Sequence, residues 1–306
     1  IVFGDWSSDV CSSDLRQMLD GKRVSMSIPA LVRIGRPVNS SVAGIAAIIG
    51  YLLATGTLVF GTLLLAAIVF LVTSAGNVVN DYFDIETDRI NRPERPLPSG
   101  DIGERTALVL AIVLFASGII LAAFTNILCL VIAVVNSALL AGYAAWLKRT
   151  PLIGNVAVSY LSGSIFLFGG AFAGIEGLIR VIPVAAITFL AMLSRELLKD
   201  AEDVEGDSAT GASTLPVRIG VKKTAYIGFF CLAGAVAASM VPFLWWGMWY
   251  IAGILPIDLV LLAAGLRPLR CDTPDCIRTT GATSLLKYAM FASLVVFMAE
   301  IGRAHV

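Results

Sequence analysis

Nine stretches of this chain are long and apolar enough to cross a bilayer, and that feature decides the class of fold. They lie near residues 38–56, 58–80, 105–124, 127–147, 152–173, 178–198, 223–243, 247–266 and 282–299. Each is close to the roughly 20 residues that span the hydrocarbon core as a helix. In lipid the backbone N–H and C=O groups must be satisfied within the segment itself, so an all-α, multi-pass integral membrane protein is predicted. With 58% hydrophobic and only 14% charged residues, and a mean hydropathy of +0.86, the chain is too apolar for a water-soluble domain.

The loop charges set an orientation. Lys22, Arg23, Arg33 and Arg36 precede the first span, and Arg89, Arg92, Arg95 and Arg105 follow the second. Lys148 and Arg149 follow the fourth, Arg218, Lys222 and Lys223 the sixth, and Arg267, Arg270 and Arg278 the eighth. The alternate loops hold almost no Lys or Arg, Arg180 excepted, so the N-terminus and the basic loops are expected on the cytoplasmic side. Trp245, Trp246, Trp249 and Tyr250 fall at the opposite boundary and read as an aromatic belt. A net charge of +0 without a basic stripe argues against a nucleic-acid partner, and nothing requires an obligate protein partner. Cys11, Cys129, Cys231, Cys271 and Cys276 are scattered and imply no disulfide framework. Cys271 and Cys276, in a loop, lack the second Cys or His pair that a tetrahedral metal site needs.

Both ends look foreign. The run Asp5 to Leu15 resembles an in-frame translation of a short-read sequencing adapter, and Glu300 to Val306 resembles that of the opposite end. Residues 1–15 and 300–306 are therefore set aside, leaving one membrane domain over 16–299. This removes Cys11 and the sole His, His305. Without imidazole, a His base, a Ser-His-Asp triad and a His-ligated zinc are all ruled out.

Two acidic runs then stand out: Asn80-Asp81-Tyr82-Phe83-Asp84-Ile85-Glu86-Thr87-Asp88 and Lys199-Asp200-Ala201-Glu202-Asp203-Val204-Glu205-Gly206-Asp207. Both carry D-x-x-D-x-x-x-D at the end of an apolar segment, and on a helix those offsets stack the carboxylates on one face. Acids at membrane depth are costly and mark a site. Oxygen donors in this number suit Mg²⁺, which takes one or two carboxylates and completes its shell with water and substrate phosphates. A loop with Leu-Pro follows each run, Leu97-Pro98 and Leu215-Pro216, and Asp207 lies 119 residues (207 minus 88) after Asp88. The chain thus reads as two four-helix halves related by a pseudo-twofold axis, with a ninth helix completing the bundle.

Two carboxylate clusters that bind two or more Mg²⁺ would bind a diphosphate, with neighbouring Arg and Lys neutralising the remaining oxygens. Arg92, Arg95, Lys148, Lys199 and Arg218 are placed for that, although topogenic charge is the alternative reading for Arg92, Arg95, Lys148 and Arg149. Charge neutralisation makes diphosphate a better leaving group. An allylic prenyl chain would then ionise to a delocalised cation, shielded from water by the apolar bundle. With no imidazole, a carboxylate or the released diphosphate takes the nucleophile's proton. Glu86, Glu202 and Glu205 read as polar rim, and Gly163, Gly170 and Gly174 as small-residue helix packing.

Asn80-Asp81-x-x-Asp84-x-x-x-Asp88 resembles the first motif of the UbiA superfamily of intramembrane prenyltransferases, and Lys199-Asp200-x-x-Asp203-x-x-x-Asp207 resembles its second. The likeness extends from about Arg33 to residue 299. It implies nine helices around a central cavity, with Mg²⁺ between the motifs held by Asn80, Asp84, Asp203 and Asp207. Asp81, Asp88 and Asp200 would be further ligands or their partners. It places Asp84, Asp88, Asp203, Asp207 and Lys199 in the catalytic apparatus. Arg36 and Asn39, in Arg36-Pro37-x-Asn39, would contact the diphosphate or the acceptor, while Tyr143 and Lys148 would line the cavity. Arg195 stands where many members with aromatic acceptors carry Tyr, which suits a phosphorylated acceptor. Within the superfamily the two runs most resemble archaeal digeranylgeranylglyceryl phosphate synthases. That implies transfer of a geranylgeranyl group to the hydroxyl of geranylgeranylglyceryl phosphate in archaeal ether-lipid synthesis. The substrates would be a prenyl diphosphate and a lipid-phosphate acceptor, met among membrane lipids.

Three other readings stay open: an aromatic or chlorin acceptor of the quinone or chlorophyll type, a cation transporter, and an inert lipid-binding relative. A transporter would carry acids near the midplane along several spans, whereas here they crowd one rim. An inert relative would be expected to lose one motif, and both are intact.

Overall fold

The computed structural model describes residues 28–209 and 211–301. The run Asp5 to Leu15, His305 and the rest of 302–306 lie outside the described residues. Thirteen α-helices follow in order: α1 Ile28–Ile34, α2 Pro37–Thr55, α3 Thr62–Phe83, α4 Ile85–Asn91, α5 Glu104–Ala123, α6 Ile127–Ala145, α7 Ile153–Phe172, α8 Ile175–Ala209, α9 Leu215–Ile219, α10 Val221–Ala238, α11 Phe243–Leu266, α12 Pro274–Thr280 and α13 Ala282–Ile301. Short 3₁₀ turns at Leu147–Arg149 and Arg267–Arg270 extend α6 and α11. Among the described residues nine helical stretches are long and apolar enough to span a membrane: α2, α3, α5, α6, α7, α8, α10, α11 and α13 with α12.

Neighbour relations repeat between the halves. Helix α2 packs on α3, α3 on α5 and α5 on α6, and the same order recurs as α7 on α8, α8 on α10 and α10 on α11. Across the halves α2 packs on α7 and α8, and α13 rests on α11, α8 and α2. The α2–α7 crossing is close because glycines replace side chains there. A Cβ on Gly169 would lie 2.3 Å from the Ala47 carbonyl oxygen, and one on Gly50 2.8 Å from that of Phe166. Without a hydrophobic force between helices in lipid, such approach is how van der Waals contact accumulates.

Helix boundaries depart from the hydropathy reading where polar sequence continues a helix. Helix α8 runs 35 residues, about 52 Å at 1.5 Å per residue, which exceeds the roughly 30 Å hydrocarbon thickness. Its acidic end therefore projects past the apolar zone as unbroken helix as far as Ala209, shortly before Gly211 at φ 73°. The second span begins at Thr62, after the turn that bonds the Thr62 N–H to the Val59 carbonyl at 3.0 Å.

Three further expectations change. Gly163 and Gly170 do sit at crossings, but Gly174 adopts φ +91° with open space around it and serves the turn between α7 and α8. Only part of the aromatic group faces outward: Trp245 and Trp249 are exposed, while Tyr250 is fully buried. Tyr250 packs with Trp246 and Phe297 at centroid distances of 5.2 and 6.2 Å and donates to the Ser239 carbonyl at 2.8 Å. The backbone break at Gly247 (φ 68°) inside α11 lies within this group. Cys271 and Cys276 are joined as a disulfide, where the scattered cysteines implied no disulfide framework, and much of their loop is the helix α12.

Gly169→Val should lower the unfolding midpoint in detergent, with a cost of about 1–3 kcal/mol from forced overpacking. Gly142→Ala, at a helical position with nothing within 4 Å of the added Cβ, should be neutral or slightly stabilising.

Candidate active site

Helix α3 ends at Phe83 and α4 begins at Ile85, so the first acidic run is divided at Asp84 (φ −97°, ψ 3°). The spacing survives the break, because the Asp84 N–H reaches the Asn80 carbonyl at 3.0 Å and the Asp88 N–H the Asp84 carbonyl at 2.8 Å. Asp81 and Asp88 are buried, a position a carboxylate holds only if it is paired. Arg36 pairs with Asp81. Arg95 reaches both, Asp81 at 3.2 Å and Asp88 at 2.5 Å. Asp84 takes Lys148 and accepts from Asn80 Nδ2 at 2.9 Å.

Arg36 is aimed by its backbone. It sits in the left-handed region (φ 48°, ψ 65°) between α1 and α2, at a cost of order 1 kcal/mol for a non-glycine residue. Pro37 opens α2, and the Gly35 carbonyl accepts from Ser40 Oγ at 3.0 Å and Asn77 Nδ2 at 3.1 Å, with Ser74 Oγ donating to Ser40 Oγ at 2.9 Å. The loop carrying Arg95 is pinned to α1 by Arg33, which donates to Asp101 at 3.0 Å.

The second run stays on one helix. Glu196, Asp200, Asp203 and Asp207, spaced 4, 3 and 4 residues apart, share one face of α8. Neutral groups hold it: Asn155 Nδ2 donates to Asp200 at 2.8 Å and Thr214 Oγ1 to Asp207 at 2.9 Å. Asp203 and Lys199 are exposed. Tyr143, on α6, lies within electrostatic range of Asp84 of the first run and of Asp200 and Glu196 of the second. The loop after α8 is tied back, with the Ser213 N–H on the Arg149 carbonyl at 3.2 Å and Arg218 Nε on Ser213 Oγ at 2.8 Å. Arg278 donates to the Glu202 carbonyl at 2.5 Å. These contacts gather the basic loops and both acidic runs at one end of the bundle.

Of the residues singled out from sequence, Arg36, Arg95, Lys148, Asn80, Asp81, Asp84 and Asp88 come together, and Tyr143 lies within electrostatic range of Asp84 and Asp200. Arg195 turns to Glu196 at 2.6 Å. Asn39 and Arg92 are exposed and make no side-chain contact with either run among the described residues. Sequence reading missed Asn155 and Thr214, which orient the second run, and Ser40, Ser74 and Asn77, which fix Arg36. Asn77 carried a signal, lying one turn before Asp81 on the same face; Asn155 carried none, because its partner is 45 residues away.

The donors in the two runs are carboxylate and amide oxygens, the hard ligands Mg²⁺ prefers. Among the described residues no three His, Cys, Asp or Glu side chains are gathered closely enough to hold an ion by themselves, since guanidinium and ammonium groups take the first run's carboxylates.

This chain belongs to the UbiA prenyltransferase family, whose sequence pattern matches residues 43–295, and it is a prenyltransferase. It is 60% identical over 272 residues to the digeranylgeranylglyceryl phosphate synthase of Methanoregula boonei, covering 89% of this chain and 98% of that one. It is 41% identical over 276 residues to that of Thermococcus kodakarensis, covering 89% and 98%. A solved structure of a digeranylgeranylglyceryl phosphate synthase superposes with a TM-score of 0.80 at 36% identity, covering 90% of this chain and 98% of that one. A UbiA homolog from Archaeoglobus fulgidus, solved with GPP and Mg²⁺, shares the fold at TM-score 0.62 and 19% identity, covering 87% and 99%.

Arg95→Ala should loosen the loop over 92–103, giving faster limited proteolysis there and a stability loss of about 2 kcal/mol from two broken charged hydrogen bonds. Arg92→Ala should leave both unchanged.

Proposed function

We propose that this enzyme transfers a geranylgeranyl group from geranylgeranyl diphosphate to the free hydroxyl of geranylgeranylglyceryl phosphate, in a Mg²⁺-dependent reaction at the cytoplasmic face of the membrane. The observation that carries the reading is the meeting of two oxygen-donor runs and three fixed cations, Arg36, Arg95 and Lys148, at one end of an apolar bundle. Asn80, Asp84, Asp203 and Asp207, with Asp81, Asp88 and Asp200 beside them, would hold Mg²⁺, which neutralises the diphosphate and stabilises its departure.

The chain's own groups supply the rest. Arg36, Arg95 and Lys148 already point at the first run, so incoming phosphate oxygens compete with carboxylates for donors that need little reorientation. The helices exclude water from the reacting carbon. A carboxylate of the second run, or the departing diphosphate, takes the hydroxyl proton. Arg195 favours a phosphorylated acceptor over an aromatic one: its Nε is buried without a partner while Glu196 holds its Nη1, leaving a donor for an acceptor oxygen. The Lys and Arg of the loops at this end support a cytoplasmic orientation.

Purified protein given Mg²⁺ and geranylgeranyl diphosphate should prenylate geranylgeranylglyceryl phosphate and not 4-hydroxybenzoate. Chelation should abolish turnover, and Asp84→Ala or Asp203→Ala should reduce kcat by about 10³-fold, as loss of one electrostatic stabiliser does. Activity that survives chelation or Asp84→Ala, or transfer to 4-hydroxybenzoate alone, would sink the proposal. Arg195→Tyr should raise KM for the phosphorylated acceptor while leaving KM for the diphosphate unchanged.

A further inference from the structure

A cavity of about 510 Å³ opens beside the 3₁₀ turn that ends α11, lined by Leu266, Arg267, Arg270, Thr279 and Thr280 together with the disulfide. Its lining includes no residue of either acidic run and none that the proposed chemistry uses. Its charge balance is unusual. The nearby carboxylates are already neutralised from elsewhere: Asp272 by Lys222 at 2.9 Å and Asp275 by Arg278 at 2.8 Å. Among the described residues Arg267 meets only the Thr280 carbonyl, at 3.3 Å, and Arg270 has no partner. Two guanidiniums thus face one cavity with no acid to balance them. Guanidinium is shaped for bidentate contact with phosphate oxygens.

The surroundings indicate which phosphate. Helix α12 packs on α8, with Arg278 bonded to Glu202, so the cavity lies at the end where α11 leaves the apolar zone. From Leu266 on its wall, exposed Leu259 and Leu255 continue along α11 at helical spacing, away from the cavity. An acyl or isoprenoid chain on that stripe would place its head group between the arginines.

We infer that this cavity binds the anionic phosphate head group of a membrane phospholipid, whose tail lies along the Leu255–Leu259–Leu266 stripe of α11. The full-length protein in phosphatidylcholine nanodiscs, titrated with phosphatidylglycerol and read by native mass spectrometry for retained lipid, tests this. Wild-type chain should keep one phosphatidylglycerol, and Arg267→Gln with Arg270→Gln should weaken retention about thirtyfold, the effect expected of two arginines at an anionic surface. Arg270→Glu alone, at an exposed position without a protein partner, should also lose it, which guards against misfolding of the double variant. Three results would each overturn the inference: unchanged retention in these variants, an equal loss from Lys223→Gln outside the cavity, or displacement of the lipid by inorganic phosphate at matching concentration.

Discussion

The cost of holding carboxylates at the edge of a bilayer organises this molecule. Asp81 and Asp88 are nearly inaccessible, and an isolated buried anion would be intolerable. Each is therefore met by a cation delivered from a different place in the chain: Arg36 from the start of the bundle and Arg95 from the loop beyond the run itself. Those two demands explain otherwise local details. The chain turns through a left-handed residue between α1 and α2 because the guanidinium must reach inward, and the Gly35 carbonyl is doubly bonded to hold that turn. The loop after α4 folds back over the run instead of extending into solvent.

The repeat gives the two halves similar neighbours and similar acid spacing, but not similar electrostatics. The first run is neutralised by side-chain cations, whereas the second is held by the amide of Asn155 and the hydroxyl of Thr214. Hydrogen bonds from neutral donors orient a carboxylate without cancelling its charge. The acids of α8 thus carry neutral hydrogen-bond donors in Asn155 and Thr214, while Arg36, Arg95 and Lys148 stand against the first run. On the proposed function, a diphosphate between them would meet donors on one side and, on the other, acids that an intervening cation would bridge.

Much of this was legible in the sequence because it depends on local periodicity. The nine spans follow from hydropathy, and the D-x-x-D-x-x-x-D spacing fixes which acids share a face. What was not legible depends on contacts made at a distance or on polar sequence that hydropathy cannot score. The unbroken length of α8 past its apolar span belongs to the second kind, since charged residues lower a hydropathy window even where the chain stays helical. Asn155 and Thr214 belong to the first: their meaning lies in side chains brought near by folding. The aromatic residues near Gly247 read as one belt, but the backbone break there turns Tyr250 inward while Trp245 and Trp249 stay outside.

The crossing of α2 and α7 has a mechanical consequence. Gly50 and Gly169 bring main chain against main chain, so the spacing of the halves there is set by covalent geometry, with no rotamer to relax. Arg36 rides at the head of α2 and Asn155 in the first turn of α7, each in register with that fixed point. The gauge between the two walls of the site is therefore cut into the backbone some way below it, and a disturbance of the surrounding lipid must bend helices to alter it.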